Sequence, residues 1–335
     1  MMAMVHRNLT EGKWLEQEEV ERKEPEAYEV LVRVKACGVC RTDLHIVEGD
    51  LPAVVPGIIP GHEIVGTVEK TGSRVRSVSM GQAVGMMWLH GACGTCEYCI
   101  RGMENLCAEK EFTGYSVNGG YAEYATGREG YVIKLPEGAD PERTAPLLCS
   151  GIIGYRALKL AMPPPGGRLG IFGFGGSAHI TTQVASRMGI DVCVVSRSEE
   201  HLKLARRLGA AETWISGQDT PKEIGRKFDS AIVFAPAGDV AKLALECIRP
   251  GGSVAVPAVH LDHVPEMDYK THLFNERRLF SVEANTRADA IEFIGMAFRL
   301  GVRSEVVVED LGHANSVLRK LKNGKINGAA VLKIT

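Results

Sequence analysis

The chain has 335 residues, more than one ordinary compact core holds, so two domains are expected. Its 45% hydrophobic and 24% charged residues are a globular balance, and a net charge of −2 offers no basic stripe for a phosphate backbone, which argues against a nucleic-acid partner. No apolar run reaches the length of a membrane span, and the polar, acid-rich start from Met1 to Glu21 does not read as a signal peptide, so a cytoplasmic protein without a membrane partner is expected.

From Tyr28 to about Leu135 the pattern is β-rich. Glu29–Lys35 alternates apolar and polar residues as a half-buried strand does, and glycines punctuate short strands such as Ile64–Glu69. Pro141 opens a helical stretch, roughly Glu142 to Leu160, which Pro163-Pro164-Pro165-Gly166-Gly167 ends. Strands then alternate with helices: Arg168–Gly173 a strand, Ser177–Met188 a helix, Val192–Ser196 a strand, Glu199–Leu208 a helix. Phe228–Ala235 and Ser253–Val259 are apolar runs suited to strands buried on both faces of a parallel sheet. From Arg287 a helix, strand, helix, strand order returns, able to rejoin the first domain. The fold class is therefore α/β.

The strand ending at Gly173 runs into a glycine-rich turn. Gly173-x-Gly175-x-x-Ala178 matches the dinucleotide fingerprint, in which small residues give a tight turn and let backbone approach a pyrophosphate. Gly176, Ser177 and Ala178 then offer helix N-terminal amides and the positive end of a dipole. An NAD site usually carries an acid after the second strand. Here Ser196, Arg197 and Ser198 stand instead, a set able to hold a 2′-phosphate, so NADP is favoured over NAD. The alternative is a solvated arginine that opens the next helix.

Nine cysteines in a chain of this size do not suggest a disulfide framework. Cys93-x2-Cys96-x2-Cys99-x7-Cys107 places four thiolates in one loop, a set suited to tetrahedral zinc with no open position, hence structural; an iron–sulfur site is the alternative. Cys40, His62, Glu63 and Cys149 are dispersed, and spacing alone does not join them.

Gly38-Val-Cys-Arg-Thr-Asp-Leu-His45 and Pro60-Gly-His-Glu-Ile-Val-Gly66 resemble the signature segments of zinc-dependent medium-chain alcohol dehydrogenases. The four-cysteine lobe, Ala145–Tyr155, Gly119–Tyr124 and Gly324–Gly328 resemble the same family, and the likeness leans toward its cinnamyl-alcohol-dehydrogenase-like branch. The resemblance implies a β-rich GroES-like catalytic domain (1–150 and 287–335) interrupted by a doubly wound Rossmann domain (151–286). It implies a catalytic zinc on Cys40, His62 and Cys149, with one position left for water or a substrate oxygen, and so two zinc ions per subunit. Thr42 matches the hydroxyl that bonds the alcohol oxygen, and His45 matches the end of a proton relay. Asp43 matches the carboxylate that orients the zinc-bound imidazole, Glu63 a group behind the metal, and Arg41 a pyrophosphate contact.

Leu51 and Trp88 match positions that line the substrate cleft. Leu51 stands where small-alcohol enzymes often carry tryptophan, so longer or aromatic alcohols are expected, although Trp88 reads equally well as a core aromatic. The implied activity is reversible oxidation of an alcohol to an aldehyde or ketone by a homodimer or homotetramer. A polyol or sugar dehydrogenase is the rival enzyme, and a non-catalytic zinc- and nucleotide-binding protein the rival of another class. One departure is the run Gly328-Ala-Ala-Val331, which lacks an arginine that many relatives place against the pyrophosphate; either cofactor binding is weaker or the work shifts to Arg41, with Arg287 as a second candidate. Cys37, Cys193 and Cys247 read as small buried hydrophobes.

Overall fold

The computed structural model describes residues 1–7, 13–51, 55–217, 220–261 and 263–334. The chain divides into two compact units: Met1–Ile152 with Ala284–Gly295 and Arg303–Thr335, and Ile153–Glu283 with Met296–Val302. Among the described residues no helix is long and apolar enough to cross a membrane.

The first unit is built around the strand Glu29–Val39. It is rich in valine, which favours extended backbone, and only Arg33 and Lys35 along it are exposed. It pairs antiparallel with Glu63–Thr71, Tyr124–Arg128 and Ala329–Lys333. Ala83–Met86, Val132–Lys134 and Val306–Asp310 complete a seven-stranded sheet. Val30, Val32, Val34, Ile64, Val68, Val84 and Tyr121 form the middle of its core. A hairpin of Met2–His6 and Leu15–Glu19, which the acid-rich sequence did not reveal, adds Met4, Val5 and Leu15 to that core. Asn315 fastens the hairpin: its Oδ1 accepts from the amides of Trp14 (3.1 Å) and Leu15 (3.0 Å), and its Nδ2 donates to Leu15 O (2.8 Å).

The second unit has six parallel strands in the order Glu212–Ile215, Asp191–Ser196, Arg168–Phe172, Phe228–Val233, Ile248–Val256, Arg278–Ser281. In chain order this is 3-2-1-4-5-6, the doubly wound arrangement whose order reverses beside the first strand. Phe172, Phe228, Ala231, Val233 and Val254 are buried in its core, and Cys193 and Cys247 are buried there as small apolar groups.

One expected element is corrected. The helix read over Glu142–Leu160 is broken into Pro141–Thr144, a 3-10 turn Ala145–Leu148, and Ser150–Ala161. Pro146 cannot donate the amide that a continuous helix needs at that point. Cys149 sits in the gap with φ −131° and ψ −67°, outside helical geometry.

Candidate active site

Strand register brings the dispersed residues together. Gly38 pairs with Glu63 across the sheet, so Cys40, two residues further on, and His62, one residue back, come to the same end. Cys40 is also the N-cap of the helix Arg41–Glu48. Its Sγ accepts from Thr42 N–H (3.2 Å), and its own N–H donates to Asp43 Oδ2 (2.9 Å), a reciprocal cap that fixes the thiol's direction. Gly61 turns the chain into His62 at φ +94°, where an added Cβ would lie 2.3 Å from the Tyr121 ring. The broken helix delivers Cys149. One ligand atom each from Cys40, His62, Glu63 and Cys149 lie within 4.8 Å of one another.

Asp43, fully buried, organises this cluster. Oδ1 accepts from Gly61 N–H (3.1 Å) and faces His62 Nδ1 (3.1 Å), while Oδ2 also accepts from the Tyr121 hydroxyl (3.1 Å). With Nδ1 turned to the carboxylate, Nε2 faces the sulfurs, 3.1 Å from Cys40 Sγ. Burial raises the Cys40 thiol, but donation from Cys149 and the charge of His62 outweigh it and hold it well below the ordinary value. Donation to Cys40, and then burial, hold Cys149 well above it. Burial lowers His62, yet the Cys40 and Asp43 charges carry it well above its usual range. The donors thus compete for protons that a cation would displace. Two soft sulfurs and one oriented imidazole fit zinc with an open fourth position.

The second cluster comes from one loop. Cys93 Sγ lies 3.9 Å from Cys99 Sγ and 3.5 Å from Cys107 Sγ, and the Cys96 amide donates to it at 3.4 Å. The backbone amides of Thr95 and Cys96 draw the Cys93 thiol down to about 6, while burial and the neighbouring sulfurs push Cys99 up to about 12. All four positions are sulfur, so the set fits a closed, structural zinc.

In the second unit, Gly173 makes the turn after the first strand at φ +86°, and its Cβ would lie 2.8 Å from Ala235 N. Gly175 caps the helix Gly176–Arg187 without a side-chain bond, and a Cβ there would meet nothing within 4 Å. The amides of Gly176, Ser177 and Ala178 belong to the first helical turn, where no intrahelical acceptor exists. This open cradle fits a pyrophosphate. At the end of the second strand Arg197 is exposed and has no ion-pair partner among the described residues. The two serines serve the backbone: Ser198 Oγ accepts from His201 N–H (3.4 Å), and Ser196 Oγ accepts from Ser198 N–H (3.4 Å).

Residues 26–137 match the family model for the alcohol dehydrogenase GroES-like domain, and residues 176–299 match that for zinc-binding dehydrogenase. The chain is 47% identical to a Mycobacterium tuberculosis protein named "Probable alcohol dehydrogenase AdhA", over 92% of this chain and 90% of that one. It is 41% identical to an alcohol dehydrogenase of Geobacillus stearothermophilus over 96% of each. Among solved structures, the alcohol dehydrogenase of the archaeon Aeropyrum pernix superposes with a TM-score of 0.90 at 29% identity, covering 100% of both chains. A cinnamyl alcohol dehydrogenase of Sorghum bicolor gives 0.91 at 25% identity, covering 99% of this chain and 97% of that one. The chain belongs to the zinc-dependent medium-chain alcohol dehydrogenase family.

The structure also shows the surroundings of the other residues read from the sequence of this alcohol dehydrogenase. Thr42 and His45 are buried on the capped helix, and His45 Nδ1 lies 2.7 Å from Asp50 Oδ2. Arg41, beside them, is exposed. Glu63 Oε1 accepts from the Ser150 amide (3.1 Å) and hydroxyl (2.9 Å), while burial and then the Cys40 sulfur push its carboxyl well above the carboxylate range. An added Cβ at Gly38 would lie 1.8 Å from Glu63 Oε2, so only glycine leaves Glu63 its place. Trp88 is half-buried, edge-on to His62 at 4.8 Å and stacked on Phe112 at 4.5 Å, with Tyr115 at 6.0 Å. Leu51 is half-buried one residue after Asp50.

Asp50, Ser150, Phe112, Tyr115 and Tyr121 were not singled out in the sequence. Only Ser150, directly after a cysteine, carried a local signal. Arg287 donates its amide and Nε to buried Glu104 Oε1, each at 3.0 Å.

Proposed function

We propose that the enzyme catalyses the reversible oxidation of primary or secondary alcohols to aldehydes or ketones, with NADP as its preferred nicotinamide cofactor. The observation that carries this reading is the convergence of Cys40, His62, Glu63 and Cys149, with Asp43 fixing the imidazole. Cys40, His62 and Cys149 hold a catalytic zinc, and Cys93, Cys96, Cys99 and Cys107 a structural one, giving two per subunit. Bound zinc supplies the Lewis acid that makes a hydroxyl acidic at neutral pH, and bound nicotinamide supplies the hydride acceptor.

The protein's own groups do the rest. Thr42 would hydrogen-bond the substrate hydroxyl and, on taking its proton, release its own into a relay through the cofactor ribose that His45, held by Asp50, ends at solvent. Glu63, anchored by Ser150, would stand beside the three ligands as a further carboxyl. Gly173, Gly175, Gly176, Ser177 and Ala178 cradle the pyrophosphate, with Arg41 supplying positive charge. Arg197, exposed at the end of the second strand and without an ion-pair partner among the described residues, supports NADP over NAD. Leu51 and the wall of Trp88, Phe112 and Tyr115 support longer or aromatic alcohols as substrates. Retention of Cys149 as a sulfur donor favours an alcohol over a polyol. We further propose a cytoplasmic homodimer or homotetramer.

The test measures zinc content and the initial rates of NADP+ and NAD+ reduction with benzyl alcohol, hexanol and ethanol. Two zinc ions per chain, faster NADP+ reduction and a higher kcat/KM for the larger alcohols are expected. Full turnover by a Cys40→Ser variant without zinc would remove the metal from the reaction. Faster NAD+ reduction would withdraw the cofactor preference alone.

A further inference from the structure

The mechanism leaves one nucleotide-facing histidine unused. His201 lies in the first turn of the helix Glu199–Arg207, half-buried, and its amide is capped by Ser198. Its ring turns back toward the strand end, with Nδ1 3.5 Å from Ser196 Oγ. The same ring stands 6.3 Å from the Phe174 ring, inside the turn Gly173-Phe174-Gly175. It therefore touches both segments that a dinucleotide engages: the glycine turn under the pyrophosphate and the second-strand end beside the adenosine ribose. Nε2 makes no hydrogen bond among the described residues, which leaves a donor for a ligand.

The serines read from the sequence as phosphate hydroxyls each accept a backbone amide and keep an O–H to donate. Arg197 and this ring stand with them as further donors, and neither has an ion-pair partner among the described residues. Other charges nearby are accounted for. Glu199 is turned to Arg206 at 3.2 Å, Glu200 is the charged neighbour acting on the ring, and Ser196 and Phe174, which face it from strand and turn, are uncharged.

We infer that His201 is a specificity-determining residue that, with Arg197, grips the adenosine 2′-phosphate and makes that grip depend on pH. The inference rests on the NADP reading above. In the free enzyme, burial lowers the His201 pKa, with Glu200 opposing, so the ring is neutral at pH 7.5. A dianionic phosphate beside Nε2 favours the imidazolium, so phosphate binding tightens as the ring gains its proton on going to pH 6.

The experiment titrates the zinc-replete protein calorimetrically with adenosine 2′,5′-bisphosphate and with adenosine 5′-monophosphate, at pH 6.0 and 7.5. Wild type, His201→Ala, His201→Gln and Arg197→Ala are compared, with thermal melts as the folding control. Because the cap uses the His201 amide rather than its ring, the variants keep the helix start. His201→Ala is expected to weaken the bisphosphate about tenfold and leave the monophosphate unchanged. His201→Gln keeps a neutral donor, so it retains binding at pH 7.5 and loses the extra tightening at pH 6.0. The phosphate's own titration is common to every variant and cancels in the comparison.

Equal weakening of both nucleotides by His201→Ala, or no weakening of either, would overturn the assignment. If wild type binds the two nucleotides equally, the NADP reading itself falls. If wild type favours the bisphosphate and only Arg197→Ala abolishes the preference, His201 alone is excluded.

Discussion

Replacing Asp43 with asparagine perturbs the scaffold of the metal cluster without changing its shape. The carboxylate accepts on both oxygens: Gly61 N–H and His62 Nδ1 on one side, Cys40 N–H and the Tyr121 hydroxyl on the other. An amide offers one oxygen and, in place of the second, an NH2 that can only donate. With that NH2 toward Cys40, Tyr121 can rotate its hydroxyl to accept, but the Cys40 amide faces a donor. With it toward Gly61, the Gly61 amide is orphaned and His62 must accept at Nδ1. Its proton then moves to Nε2, the nitrogen that faces the sulfurs. Each orientation leaves at least one buried donor without an acceptor, and a hydrogen bond to a charged group contributes ~1.5–3 kcal/mol, so a loss of about 2–4 kcal/mol is expected. Loss of an outer partner lowers metal affinity ~10–100-fold. Urea unfolding reads the first quantity, and zinc retention against a chelator reads the second. A D43N protein within about 0.5 kcal/mol of wild type that also holds its zinc equally well would refute the scaffold argument.

Gly38→Ala drives a methyl into Glu63, and overpacking of this kind costs about 1–3 kcal/mol, so a lower Tm and a lower kcat are expected together. Asn315→Ala removes the hydrogen bonds that hold the Leu15–Glu19 strand; faster amide exchange at Trp14 and Leu15, without loss of zinc, is the expected signature in hydrogen-exchange mass spectrometry. His90 is buried, and burial, then Arg128 and Lys23, push it down to about 4 from 6.5. The unfolded chain therefore takes up a proton before the fold does. Stability is full above pH 6.5 and falls by about 3 kcal/mol as pH drops toward 4, and His90→Gln should flatten that part of the urea-stability profile. Cys93→Ser should lose one zinc and lower the Tm, whereas Cys149→Ser should abolish turnover with a smaller change in Tm.

Legibility in the sequence followed the range of the interaction. The four-cysteine lobe is local, so spacing alone exposed it. The glycine turn is local too, and strand and helix periodicities around it predicted a parallel sheet, while its doubly wound order came from the resemblance. Cys40, His62 and Cys149 are joined only by strand register and by a helix break, so resemblance rather than spacing linked them. The break itself was missed because Pro146 sits inside an otherwise helical pattern. Asp50 beside His45 is a polar partner of ordinary loop type with nothing to mark it, and Ser150 beneath Glu63 is marked only by the cysteine before it. The serines flanking Arg197 have the right chemistry for a phosphate, and their oxygens also accept the amides at the start of the next helix, a second task the sequence does not show.

The pairing of Ala330 with Val39 and of Val331 with Gly38 also constrains the order of events during synthesis. A ribosome reaches Ala329–Lys333 only after the whole second unit has been made, so the strand leading into Cys40 waits with one edge open while its neighbour unit is already complete. Newly made thiols are exposed to oxidants and stray metals during that interval. Zinc loading in the cell should therefore follow translation of the final strand, and a slow or stalled ribosome late in the message should yield chains whose nucleotide unit is folded and whose metal cluster is not yet formed.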